Sequence, residues 1–379
     1  MKPLDTAFYK RRVERIRERL SITGFDGLLL LDVYNVIYAS GFFHIPSERP
    51  LGLYIPLSGD PVLFVPLLEI ENAADTWITN IQSYFEYPGE EYPVNWMVRA
   101  CGAKRLGIDH ISPYIFQTLE QVSLTTLVDE MRWVKEPEEI ALVELAASYA
   151  DACLEYVRDH AADIIRDGGS ELDILGACLS STIEKMRRDL ASTFGRRRLG
   201  ITGTVHSGPR AALPHGEPGN RKPQIGDTLI AGIGASVGGY HAESGATFII
   251  GDPSDDQMHC MKAALDCDRA AVNHLRVGAA CADVNIAALK VLHEAGLSDA
   301  IRHRIGHGMG LQGHEGPWLA PGDQTLLKPN MVFSNEPGIY RPGIDGYRTI
   351  NTMIVTEGDA VVPSRFLANN PPEERIISL

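Results

Sequence analysis

The sequence predicts a mixed α/β protein of two domains, a small one over residues 1–130 and a larger one over residues 131–379. Three observations carry that reading. At 379 residues the chain exceeds one ordinary core. Short apolar runs alternate with helical patterns through roughly the first 125 residues, as in a small α/β domain. Past a proline-and-glutamate boundary, the texture changes to long helices followed by strands and tight turns.

Residues 7–20 read as a basic amphipathic helix, with Tyr9, Val13, Ile16 and Leu20 at helical spacing and the arginines on a solvated face. Phe25-Asp26-Gly27 then leads into Leu28-Leu29-Leu30-Leu31, a run that suits a buried strand. Strand-like runs recur at residues 51–56, 61–66, 81–84 and 106–108, with helical stretches near 67–75, 94–101 and 114–121. At the boundary, Pro137 fits the first turn of a helix, and Glu138 and Glu139 complement its N-terminal dipole. That helix runs to about residue 166 and a second spans 171–190, while 192–198, ending in three arginines, reads as a connection. From Ile201 turns multiply: Ser207-Gly208-Pro209, Pro214-His215-Gly216, then Gly226-Asp227 opening a strand. That strand, 228–233, returns through 240–250 as a hairpin. Helices follow over 254–276 and 282–295, then strands near 331–336 and 349–356.

A formal net charge of −14 argues against nucleic acid or an anionic membrane as partner, since both demand a positive face. No window approaches the ~18 apolar residues of a membrane-spanning helix, and the charged N-terminus lacks the apolar core of a signal peptide. The expectation is a cytoplasmic protein acting on a small molecule. Six cysteines are scattered without a CxxC pair, as small buried hydrophobes would be.

The stretch with the most chemistry is Gly306-His307-Gly308-Met309-Gly310, running on to Gly313-His314-Glu315-Gly316-Pro317. Glycines on either side of a histidine let backbone from elsewhere approach it closely, which a site needs and a core does not.

These pieces, in this order, resemble the pita-bread superfamily of methionine aminopeptidase, aminopeptidase P, prolidase and creatinase. The N-terminal match is Phe25-Asp26-Gly27-Leu28-Leu29, Asn35-Val36-Ile37-Tyr38 and Ser40-Gly41-Phe42; at the boundary it is Val134-Lys135-Glu136-Pro137-Glu138-Glu139-Ile140. In the second domain it comprises Ser207-Gly208-Pro209, Leu213-Pro214-His215, Gly226-Asp227, Gly239-Tyr240, the glycine-histidine stretch and Asn335-Glu336-Pro337-Gly338-Ile339-Tyr340. The resemblance implies a creatinase-type N-terminal α/β domain followed by a pita-bread catalytic domain. It also implies a homodimer.

The superfamily's metallopeptidases hold two divalent ions with two Asp, one His and two Glu. Carried over residue by residue, that set is broken. The first Asp position is Gly232, in Gly232-Ile233-Gly234, and the second Glu position is Ile350, in Arg348-Thr349-Ile350-Asn351. The second Asp falls on Glu243, and His307 and Glu336 keep their positions. Two ions need more oxygen ligands than this set offers. The expectation is therefore no cofactor, with a single divalent metal on Glu243, His307 and Glu336 as the one metal option.

Creatinase has this fold without the metal ligands. Its catalytic histidine matches His215 and one of its glutamates matches Glu336; its other acid falls on Gly245, with Glu243 the nearest substitute. The resemblance then implies a metal-independent hydrolase of a non-peptide C–N bond in a small zwitterionic, creatine- or ectoine-like compound. His215 would be the general acid/base, Glu336 the group that orients or deprotonates water, and Glu243 a nucleophile or a binder of the substrate cation. His307, His314 and Arg348 would bind substrate. Two alternatives stand beside it: an Xaa-Pro dipeptidase or aminopeptidase with an altered or single-metal site, and a catalytically inactive binding protein.

Overall fold

The computed structural model describes residues 2–195 and 198–379. Of the predicted connection 192–198, Arg196 and Arg197 lie outside the described residues, whereas Ser192 to Phe194 form the end of a helix rather than a loop.

The first compact unit spans Pro3–Arg132. Its elements in order are α1 (Thr6–Leu20), β1 (Gly27–Leu30), α2 (Val33–Ser40), β2 (Gly52–Pro56), β3 (Val62–Pro66), α3 (Ile70–Ala74), β4 (Asn80–Tyr84), α4 (Pro93–Cys101), β5 (Leu106–Ile108), α5 (Pro113–Phe116), β6 (Val122–Leu124) and α6 (Leu127–Trp133), the last ending at the boundary. The strands form one mixed sheet in the order β4-β3-β2-β1-β5-β6. Leu28, Leu29 and Leu30 of β1 are fully buried, as a central strand covered on both faces requires.

Two features depart from the sequence reading. The arginines of α1 do not all face solvent. Arg12 is fully buried, its guanidinium 3.9 Å from the Tyr38 ring and 4.2 Å from the Phe8 ring, with Nη1 donating to the Tyr38 carbonyl. A weakly hydrated planar cation can be buried that way where an ammonium cannot. The second departure is α2, which the sequence reading did not assign. Its Val, Tyr and Ile content favours strand, but Asp32 caps the first turn by accepting from the Tyr34 and Asn35 amides, and Gly41, at φ 72°, closes the last.

The second unit spans Trp133–Leu379. Pro137 opens α7 (Pro137–Arg166), and Glu136 with Glu139 forms the capping box there. After α8 (Glu171–Phe194) come β7 (Leu199–Ser207), β8 (Thr228–Val237) and β9 (Tyr240–Ile250), then α9 (Asp255–His274) and α10 (Cys281–Glu294). The remainder is β10 (Gly306–Gly308), β11 (Glu315–Leu319), β12 (Val332–Asn335), β13 (Gly338–Arg341), β14 (Asp345–Arg348), β15 (Asn351–Ile354), α11 (Phe366–Asn369) and β16 (Ile376–Ile377). One sheet runs β16-β9-β8-β7, against which α7 and α8 pack; a second runs β11-β10-β12-β15, and β13 and β14 pair as a hairpin. A reciprocal bridge between Gly245 and Ile350 ties the end of the second sheet to β9, with both N–H···O distances 2.9 Å. The core of this unit includes Cys260, Cys267 and Cys281 as apolar fillers.

Candidate active site

The floor of the site is the β8–β9 hairpin. Gly232 pairs with Gly245 and Gly234 with Glu243, and the period of two puts all four on one face. Three of the four are glycine, so Glu243 is the only one of them with a side chain. The space left by the others is filled. A Cβ on Gly232 would lie 2.8 Å from Arg348 Nη2, and a Cβ on Gly245 would lie 2.7 Å from Ile350 Cδ1 and Cγ1. The guanidinium of Arg348 and the side chain of Ile350 therefore stand where side-chain carboxylates would be needed for a second ion, and two ions do not fit this chain. The same isoleucine closes Gly245, the position that carries an acid in creatinase.

Across from Glu243, β10 presents His307, which is fully buried. Its Nδ1 donates to the Gly308 carbonyl at 3.1 Å, which leaves Nε2 as the free face of the ring. Nε2 lies 3.4 Å from Glu336 Oε1 and 3.8 Å from Glu243 Oε2 and has no hydrogen-bond partner. A lone pair facing two carboxylates calls for a cation between them, either a proton or a metal ion. The His314 ring stacks on His307 with centroids 3.7 Å apart. Donor atoms of Glu243, His307 and His314 all lie within 4.8 Å of one another. One imidazole–imidazole–carboxylate set of this kind suits a single divalent ion. The third donor in that group is His314, where the sequence reading put Glu336.

The two carboxylates are shifted in opposite directions. Burial pushes Glu243 above the usual carboxylate range and the charge of Glu336 adds to the rise; Ser334 Oγ donates to its Oε2 at 2.6 Å. Burial would also raise Glu336, but contact with His307 and the charge of Arg348 outweigh it and hold it at about 2. His307 is itself raised: burial lowers it, and the neighbouring carboxylates more than compensate.

The remaining predicted residues fall around this group. Arg348 is buried, with Nη1 donating to the Pro214 carbonyl at 3.1 Å and Nη2 to Thr204 Oγ1 at 3.4 Å. His215, next in sequence to Pro214, is exposed on its turn and lines a pocket of about 450 Å³ with Glu243, His314, Glu336 and Arg348. His206 and His241 spend ring nitrogens on backbone carbonyls, and His303 hydrogen-bonds Tyr340 Oη at 2.9 Å. Sequence reasoning missed Ser334 and Thr204. Ser334 had a signal, since it lies two residues before Glu336; Thr204 had none, because its approach depends on the β7–β8 pairing.

Glu315 turns away from the site. It pairs with buried Lys135 at 2.9 Å and so anchors the loop that carries His314. Below the site, Asp268 of α9 accepts from Asn335 Nδ2 at 2.6 Å and Asn351 Nδ2 at 2.9 Å, fixing the residues next to Glu336 and Ile350. Burial pushes Asp268 up to about 7 against the amide donors. Its folded pKa thus exceeds its unfolded value of ~4, and the stability it contributes is complete below pH ~4 and lost as pH rises to ~7. Urea unfolding of the wild type at pH 5 and pH 8 is expected to differ by about 2.5 kcal/mol from this group, because only the ~2 pH units between pH 5 and the folded pKa contribute, at ~1.36 kcal/mol each. Asp268→Asn is expected to remove that component. Equal slopes against pH in the two proteins would contradict the assignment.

Comparison with known proteins adds the family context. A family model described as metallopeptidase family M24 matches residues 141–357, and one described as the creatinase/prolidase N-terminal domain matches residues 12–134. The chain is 29% identical over 384 residues to the probable dipeptidase PepE of Mycobacterium tuberculosis, covering 98% of this chain and 97% of that protein. Among solved structures it superposes on dipeptidase PepE from Mycobacterium ulcerans with a TM-score of 0.86, at 28% identity and with both chains fully covered. It superposes on an Xaa-Pro dipeptidase from Bacillus anthracis with a TM-score of 0.79, at 25% identity over 98% of this chain and 100% of that one. The fold is accordingly an N-terminal creatinase-type α/β domain with a C-terminal pita-bread domain. These relatives overturn the expectation of a creatinase-like hydrolase of a non-peptide C–N bond, because proteins similar over the whole length carry peptidase names. Gly232 and Ile350 offer no side-chain ligand atoms, whereas Glu243, His307 and His314 bring three donor atoms within 4.8 Å of one another. Among the described residues, no helix is long and apolar enough to cross a membrane.

Proposed function

The chain belongs to metallopeptidase family M24, and from that premise we propose that it is a dipeptidase working with one divalent ion on Glu243, His307 and His314. The observation that carries the reading is the buried, unbonded Nε2 of His307 within a three-donor group. When bound, the ion supplies Lewis-acid charge for the scissile carbonyl and makes water more acidic. The chain's own residues do the rest. Glu336, ionised at neutral pH, takes the proton of the attacking water on a carboxylate oxygen. His215, exposed at the pocket mouth, hands a proton to the departing nitrogen. Arg348 holds a carboxylate of the peptide, a task for which its planar fork is suited.

The test is elemental analysis of the purified protein beside turnover of Xaa-Pro and other dipeptides. About one ion per chain is expected, with activity abolished by a chelator and restored by a divalent salt. Two ions per chain would reject the single-ion reading, and chelator-resistant cleavage would reject the metal.

A further inference from the structure

We propose that the chamber beside the main pocket, walled by Arg302, Arg304 and Arg348, is a subsite for a second carboxylate, so that the favoured substrates are dipeptides with an acidic C-terminal residue. This deepens the dipeptidase reading and rests on it for the cleavage step. The chamber, about 280 Å³, opens beside His314 and Glu336. In a chain of net charge −14, an arginine normally finds an acid. Among the described residues, none of these three has a carboxylate within 4.0 Å. Arg302 Nη1 donates to the carbonyls of Asp299 and Ile301, and Arg304 Nε to the Gly306 carbonyl at 3.0 Å. Arg304 Cζ lies over the Trp318 ring, 4.7 Å from its centroid. Arg348 Nε is buried with no partner.

The charges can be counted. Three guanidiniums face one lining carboxylate, Glu336, leaving an excess of two positive charges. A dipeptide with neutral side chains brings one carboxylate, and an acidic side chain brings the second. Polarity sets which residue is acidic. Arg348, which holds the peptide's own carboxylate in the dipeptidase reading, lines both the main pocket and the chamber, so the residue beside the arginines is the C-terminal one. Planar guanidiniums bind carboxylates in pairs of parallel hydrogen bonds, which distinguishes an acid from its amide.

The experiment compares kcat/KM for Ala-Glu and its isostere Ala-Gln on the metal-loaded full chain. Ala-Glu is expected to be favoured about tenfold, chiefly through KM, as one charge-assisted contact would give. Arg304→Gln is expected to bring the ratio close to one, and Arg302→Gln, at an exposed position where folding is not at stake, to move it the same way. A wild-type ratio at or below one, or a ratio that survives both substitutions, would overturn the subsite. Calorimetric titration with glutarate and butyrate separates this outcome from failure of the dipeptidase reading. If neither peptide is cleaved but glutarate binds more tightly than butyrate in an Arg304-dependent way, the subsite stands and the peptidase reading falls.

Discussion

Gly306→Ala is expected to destabilise the second unit by about 3 kcal/mol, lowering its Tm by roughly 6–12 °C. The added methyl carbon would sit 2.0 Å from the Ser334 carbonyl oxygen, and it meets backbone rather than a side chain that could swing away. Gly306 pairs with Asn335 and His307 with Ser334, so relief requires β10 and β12 to move apart. That movement breaks ladder bonds in the middle of a four-stranded sheet and carries the His307 ring with it. The folded fraction of the variant should therefore also lose activity. Gly322→Ala is the matched control, because a Cβ there meets nothing within 4 Å and the change is expected to stay within about 0.5 kcal/mol. Melting curves of the two variants read the difference, and coincident Tm values would refute the close-approach account of the motif.

That account was available from the sequence, because a histidine between glycines invites close backbone approach whatever the fold. The loss of ligands at Gly232 and Ile350 was equally legible, since neither side chain can coordinate. What fills those places was not. Arg348 over Gly232 and Ile350 against Gly245 are tertiary contacts between β8, β9, β14 and the chain just beyond, set by pairings that no local pattern encodes. The stack of His314 on His307 is of the same kind. Counting along the chain left three donors, Glu243, His307 and Glu336, whereas in space the group of three is Glu243, His307 and His314. The Lys135–Glu315 pair links positions 180 residues apart, and only one end sat in a motif singled out for its chemistry. Arg12 and α2 failed for a related reason. Aromatic faces offered by Phe8 and Tyr38 overrode charge, and an aspartate–glycine pair of caps overrode strand propensity.

Glu243→Gln is expected to lower kcat/KM on dipeptides by about a thousandfold and to weaken metal binding, while changing stability little. The replacement is isosteric and its scaffold does not depend on charge. The Glu243 amide donates to Thr352 Oγ1 at 2.9 Å, Thr352 Oγ1 donates back to the Glu243 carbonyl at 2.8 Å, and Ser334 Oγ can donate to an amide oxygen as it does to the carboxylate. What disappears is the anionic oxygen 3.8 Å from His307 Nε2. Without it the donor group keeps two imidazoles and no carboxylate, a poorer match for a hard divalent cation. The two readouts divide the possible roles. If added metal restores occupancy but not turnover, Glu243 acts on the substrate or its protons as well as on the ion. If turnover returns with occupancy, its part is that of a ligand. Full activity and full metal content in the variant would remove Glu243 from the site altogether, leaving Glu336, 3.4 Å from the same nitrogen, as the carboxylate that the buried His307 faces.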